Sequence, residues 1–189
     1  MTQTTPSLSD MEIATIALRI DRPIVLVGLM GVGKTTVGRK VAALLGRKFV
    51  DADEEIERAA NRKVAEIFAA HGEVYFRDGE RRVLARLIGE ESGVIATGGG
   101  AFVDDQTRTL VLEKGIAVWL DCDIATLVER TSRRDTRPLL RDGDPEAILS
   151  ELKEARNEAY AEAPIRVVTN NGPQHDTALR IIEAIGKWL

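Results

Sequence analysis

The chain has 189 residues, enough to bury one domain core, with 44% hydrophobic, 30% charged and 4% aromatic residues and a formal charge of −4. This mildly acidic balance argues against nucleic acid or an anionic membrane as the main partner, so any phosphate site has to be built locally. A single cysteine, Cys122, excludes an internal disulfide and reads as a buried core thiol; with no apolar run near ~18 residues and no leader pattern in "MTQTTPSLSD", the cytoplasm is the expected address.

Residues 1–8 are polar. In "SDMEIATIALRI", Ser9 and Glu12 form a capping box ahead of Ile13, Ile16, Ala17 and Ile20 at helical spacing, which predicts a short docking helix that Pro23 ends. A strand over Ile24–Val27, a glycine-rich turn and a helix over about Lys34–Leu45, closed by Gly46, follow. "KFVDAD" reads as the next strand. Glu54 to about Glu91 is helical in pattern, broken near "ANRK", where Asn61 can take a left-handed turn, and at His71-Gly72; this stretch is a candidate lid over a substrate.

"GVIATGGG" reads as a buried strand and turn, Asp104–Lys114 as a helix, and "IAVWLD" as another buried strand with a helix from about Asp123. The Arg-rich loop "SRRDTRPLLRDGD" precedes a helix over about Pro145–Tyr160, a strand over Ile165–Val168 and a C-terminal helix. Apolar runs alternating with helices predict an α/β fold, a parallel sheet with helices on both faces. Trp119 reads as strand core and Trp188 as a C-terminal packing residue, while His71 and His175 show no metal-ligand spacing.

Gly28 to Thr35 matches G-x-x-x-x-G-K-[ST] between a strand and a helix, the context in which that pattern has a mechanism. The glycines let backbone N–H groups curl round phosphate oxygens, Lys34 reaches the outer phosphates, and the Thr35 hydroxyl can ligate Mg²⁺. A nucleotide-dependent switch would show D-x-x-G and N-K-x-D elements, and neither occurs. A kinase needs an acceptor pocket beside the γ-phosphate instead. Asp51 and Asp53, two apart in extended backbone, point to one side and could serve metal and proton transfer; the alternative is that they only cap the next helix. Arg77 and Glu80 stand at i and i+3, so the carboxylate can orient the guanidinium or merely form a surface pair. Three glycines in "ATGGGAF" suggest a close approach of backbone to ligand. Arg133, Arg134 and Arg137 lie in a polar loop of lid-like composition, and Arg156, taken alone, reads as a surface residue.

Together "GLMGVGKTTVGR", "DADEEIE", "IFAAHGEVYFRDGE", "ATGGGAF", "TRPLL" and "ARNEAY", in order and at matching spacing, resemble the shikimate kinase family within the nucleoside-monophosphate-kinase-like P-loop folds. The resemblance spans about Ile24 to Ile185 and implies a three-layer α/β sandwich with a five-stranded parallel sheet. It divides the chain into an N-terminal extension, 1–22, and a kinase domain, 23–189, with an acceptor-binding segment at about 52–80 and a lid at about 131–143. It implies transfer of the γ-phosphoryl group of MgATP to the 3-hydroxyl of shikimate by a monomer. ATP falls to Gly31, Val32, Gly33, Lys34, Thr35 and Thr36, with Arg137 on the phosphates and Arg130 against adenine. Asp53 binds the acceptor hydroxyl and takes its proton, Arg77 and Arg156 clamp the carboxylate, and Gly98, Gly99 and Gly100 contact the ring. Thr35 and Asp51 fall on the Mg²⁺ site, with Asp121 as a fallback metal residue because "VIATGGG" lacks the usual acid. Thr35 in place of a common Ser and Ala60-Asn61 in place of Thr-Gly are compatible departures, and "VVTNNGP" lacks a basic residue sometimes found near adenine. A gluconate-type kinase of the same fold and a non-catalytic nucleotide-binding homologue are the alternatives.

Overall fold

Four-residue β1 (Ile24–Val27), β3 (Val94–Ala96) and seven-residue β4 (Ile116–Cys122) are buried along their whole length, as unbroken apolar runs require when a sheet is covered on both faces. They form the middle of a five-stranded parallel sheet of order β2-β3-β1-β4-β5, with β2 (Phe49–Asp51) and β5 (Ile165–Thr169) at its edges. The computed structural model describes residues 8–90, 93–132 and 143–189. Edge strand β5 alternates buried and exposed residues, whereas the central strands do not.

The helices are α1 (Asp10–Arg19), α2 (Lys34–Leu45), α3 (Ala52–Ala60), α4 (Val64–Glu90), α5 (Asp105–Lys114), α6 (Ile124–Ser132), α7 (Pro145–Ala161) and α8 (Gln174–Trp188). With this strand order the right-handed rule for parallel connections assigns α2, which packs on α8, to one face and α4, α5 and α7 to the other. Helix α2 ends where Gly46 turns left-handed (φ 62°), and α3 ends at Asn61 (φ 50°), the two stops expected from sequence. Helix α4 runs through a kink at Gly72 (φ 78°, ψ 179°), where the His71-Gly72 break was expected.

Helix α1 carries the predicted capping box: Glu12 accepts from the Ser9 N–H at 2.8 Å, and the Ser9 hydroxyl accepts from the Glu12 N–H. Its far end is closed from another element, since Arg47 donates to the carbonyls of Ala17 and Ile20 at 3.0 and 2.6 Å. Ile13 and Ile20 are buried in the main core, so residues of the N-terminal extension pack into the body against α2 and α8. Trp119 and Cys122 are core residues as expected. Trp188 is not: it lies past Ile185, the last buried residue of α8, 39% exposed, with the Arg22 guanidinium 5.5 Å from its ring centre. Among the described residues no helix is long and apolar enough to cross a membrane.

Candidate active site

Parallel strands deliver their carboxyl ends to one edge of the sheet, and ligands bind there in open α/β folds. Gly28, Gly31 and Gly33 all adopt positive φ, which winds the loop after β1 round its own axis before α2 begins. Lys34 is buried, and its ammonium donates to the carbonyls of Gly28 and Leu29 at 2.6 and 2.9 Å, so it spans the inside of the loop. A cavity of about 760 Å³ opens over this loop and extends to Asp53, Gly98, Arg130 and Asn170. Arg130, on α6, donates to the carbonyls of Val32 (3.2 Å) and Asn170. Its guanidinium ties the phosphate loop to the loop after β5 and forms one wall.

Asp51 and Asp53 reach the cavity by a route different from the one their spacing suggests. The strand stops at Asp51 and α3 starts at Ala52, so the two carboxylates are not alternate residues of one strand. Asp51 is the N-cap, accepting from the Asp53 N–H at 3.0 Å, and its other oxygen accepts the Thr35 hydroxyl at 2.7 Å. The capping alternative therefore holds for Asp51 while leaving it beside the phosphate loop. Asp53 sits in the first helical turn, facing the triple glycine. A Cβ placed on Gly98 would stand 2.9 Å from Asp53 Oδ1 and equally close to Glu80 Oε1, so a side chain there would push the two carboxylates aside. Burial raises the Asp53 carboxyl above the ordinary range, and the neighbouring Asp51 charge adds to the rise against the pull of Lys34.

Arg77 and Glu80 form a cluster inside the fold, which excludes the surface-pair alternative. Arg77 Nη1 donates to Glu80 Oε2 at 2.5 Å, Glu80 is 1% exposed, and the guanidinium lies 5.3 Å from the Phe76 ring centre. Burial pushes Glu80 up even against Arg77, and its Oε1, buried without a hydrogen-bond partner among the described residues, faces the Asp53–Gly98 corner. A Cβ on Gly100 would come within 2.1 Å of Arg77 Nη2. Arg156 of α7 donates Nη1 to the Gly99 carbonyl at 3.1 Å. Two guanidiniums thus meet the triple-glycine turn, with the Asp53 and Glu80 carboxylates beside it. Arg156, a surface residue when read alone, belongs to this cluster because α7 packs on the turn that follows the glycines.

Arg137, assigned from the resemblance to the phosphates, lies outside the described residues, as do Arg133, Arg134 and most of the proposed lid. The fallback metal residue, Asp121, is corrected by the structure: its carboxylate is taken by Lys153 at 2.9 Å and Arg166 at 2.5 Å, on the β5 side of the sheet. Tyr160, present in the "ARNEAY" motif without an assigned role, donates its hydroxyl to the Gly99 carbonyl. No signal in the sequence pairs these two, because they stand 61 residues apart.

Residues 30–186 match the family model described as shikimate kinase. A shikimate kinase of Novosphingobium aromaticivorans is 59% identical over 186 residues, 96% of either chain, and one of Caulobacter vibrioides is 54% identical over 164 residues, 87% of this chain and 82% of that one. Among solved structures, the shikimate kinase of Acinetobacter baumannii in complex with shikimate superposes with a TM-score of 0.84 at 41% identity, covering 90% of this chain and 96% of its own.

Proposed function

The chain belongs to the shikimate kinase family, and on that premise it is an ATP-dependent phosphotransferase acting on shikimate; we propose that Asp53 receives the proton of the attacking 3-hydroxyl while the phosphate loop and the two arginines hold the partners in line. One observation carries this division of roles. The phosphate loop, Asp53 and the Arg77–Arg156 pair converge on a single turn of three glycines, where any side chain would displace the ends of Asp53, Glu80 or Arg77.

Phosphoryl transfer demands little covalent chemistry from a protein and much positioning. ATP binds Gly31, Val32, Gly33, Lys34, Thr35 and Thr36 through backbone N–H groups, the Lys34 ammonium and the threonine hydroxyls, and Arg130 lies against adenine. Arg77 and Arg156 grip the shikimate carboxylate as a charged clamp, and the backbone of Gly98, Gly99 and Gly100 meets the ring. Asp53, already raised by burial and by Asp51, is suited to hold a proton as the hydroxyl attacks. Glu80 keeps Arg77 in place, and its unpartnered Oε1 leaves an acceptor for a donor brought into the corner. Arg137 takes the role of the cation on the transferring group by its motif position. Thr35 and Asp51, a hydroxyl and a carboxylate in contact, are hard oxygen donors of the kind that suit Mg²⁺, which takes few protein ligands beside phosphate and water. When bound, Mg²⁺ would offset phosphate charge there. The protein works as a monomer in the cytoplasm on small molecules, as the family resemblance implies, and its net charge of −4 argues against nucleic acid or an anionic membrane as the main partner.

The test is ADP release measured with MgATP and shikimate, beside gluconate and a control without acceptor. Shikimate-dependent turnover that Lys34→Met abolishes is the expected result. Turnover on gluconate alone would overturn the acceptor, and ATP binding without turnover on any acceptor would point to a non-catalytic homologue.

A further inference from the structure

Tyr160 is 1% exposed near the end of α7, its ring stacked on Trp119 of β4 with centres 5.9 Å apart. A buried phenol needs a partner for its hydroxyl, and this one donates to the half-buried Gly99 carbonyl. Arg156 stands one helical turn earlier on the same face and donates to the same oxygen at 3.1 Å. Two donors, one of them charged, hold one peptide unit in a turn that has no side chains of its own to fix it. Because that unit is planar and trans, aiming the Gly99 carbonyl at α7 turns the Gly100 N–H to the opposite side. Gly99 also closes on the phosphate loop: a Cβ there would lie 3.3 Å from the Met30 nitrogen and 3.5 Å from Arg156 Nη1. One residue therefore touches both the phosphate side and the acceptor side.

Building on the shikimate kinase reading, we propose that Tyr160 is a positioning residue whose hydroxyl fixes the Gly99 peptide, so that the glycine turn presents its backbone to the acceptor and Arg156 can serve the acceptor carboxylate. A carbonyl served by Arg156 alone would be stranded whenever the guanidinium turned to a substrate, and that competition would oppose binding. With Tyr160 holding the carbonyl, Arg156 can shift its donors without leaving it bare. Tyr160 touches no reacting atom in this arrangement; it acts through Gly99.

The test is Tyr160→Phe, which keeps the ring and its stack on Trp119 and removes only the hydroxyl. Misplacing a binding turn costs roughly tenfold to a hundredfold, so kcat/KM for shikimate should fall by about that much, with the KM for ATP within about twofold of the parent. Trp119→Phe is the packing control: it should lower the melting temperature and leave the shikimate KM near the parent value. Unchanged shikimate kinetics in Tyr160→Phe would overturn the proposal, as would a parallel rise in both KM values. So would a Trp119→Phe variant that reproduces the shikimate defect. A parent protein inactive on shikimate would bring down the acceptor reading and this inference together, whereas an active parent with an unaffected variant removes this inference alone.

Discussion

The phosphate side and the acceptor side of the site are built differently. Loop Gly28–Thr35 leaves a strand that is fully buried and enters a helix whose Val37, Val41 and Leu45 belong to the main core. The segment proposed to bind the acceptor instead has its own small cluster, Ile56, Ile67 and Phe76, with Val64 and Phe68 packed on it, and Val83 reaching both this cluster and the main core. A large core holds its parts together at a common stability, while a small satellite cluster can open at much lower cost. The binding groups proposed in the satellite, Arg77 above all, should therefore be alterable without harm to the nucleotide site. Asp53 lies at the seam between the two.

The largest expected effect tests that seam. Asp53→Asn keeps the shape of the side chain and removes the proton acceptor, so kcat should fall by about 10² to 10⁴, the usual range for a positioned acid or base, with ATP binding preserved. Stopped turnover with intact nucleotide affinity would be read from kinetics beside a direct titration of ATP. If nucleotide affinity fell as far as kcat, the two sides would not be separable at Asp53, and the proton role would lose its support.

Next in size is Arg77→Ala, which asks whether the satellite acts alone. Loss of a charged hydrogen-bond donor is worth about 1.5 to 3 kcal/mol, or roughly ten- to a hundredfold in the KM for shikimate. The KM for ATP should hold steady. Because Glu80 is buried against Arg77, the variant leaves a carboxylate whose raised pKa lets it take up a proton, and the fold should survive. A matching rise in both KM values would show that the two regions respond as one body.

The same contrast explains what could be read in advance. The phosphate loop was legible because eight adjacent residues encode it: glycines for the backbone, then the lysine and the hydroxyl. The parallel sheet was legible because β1, β3 and β4 are apolar throughout. Asp53 was singled out by its motif, whereas the argument from alternation along an extended strand did not apply, since Ala52 already begins a helix. Arg156 and Tyr160 meet Gly99 across 57 and 61 residues, and helical periodicity says only which face of α7 they share. Long-range contacts to a backbone carbonyl have no local composition to betray them.

The smallest expected effect concerns how α7 is fastened to the main body. Asp121 at the end of β4 is held below the usual carboxylate range: burial opposes this, and the hydrogen bonds from Arg166 and Lys153 outweigh it. Lys153 also donates to the Cys122 carbonyl at 2.7 Å, so one ammonium secures α7 to the strand on which Tyr160 stacks through Trp119. Its partners are partly exposed, Arg166 more than half, which screens the pair, and Asp121→Asn should cost about 1 to 2 kcal/mol at neutral pH. The sign follows from linkage. A carboxyl whose pKa is lower in the folded protein contributes stability above its unfolded value, near 3.9, and loses it as pH falls through the lowered folded value. Urea midpoints of parent and variant should therefore differ at pH 7, differ almost as much at pH 5, and converge below the ordinary aspartate pKa. A gap that stayed constant into acid would assign the loss to shape rather than charge. It would also leave the attachment of α7, and with it the support for Arg156 and Tyr160, to the Lys153 bond to the Cys122 carbonyl, the bonds to Gly99, the stack on Trp119 and the packing on α6.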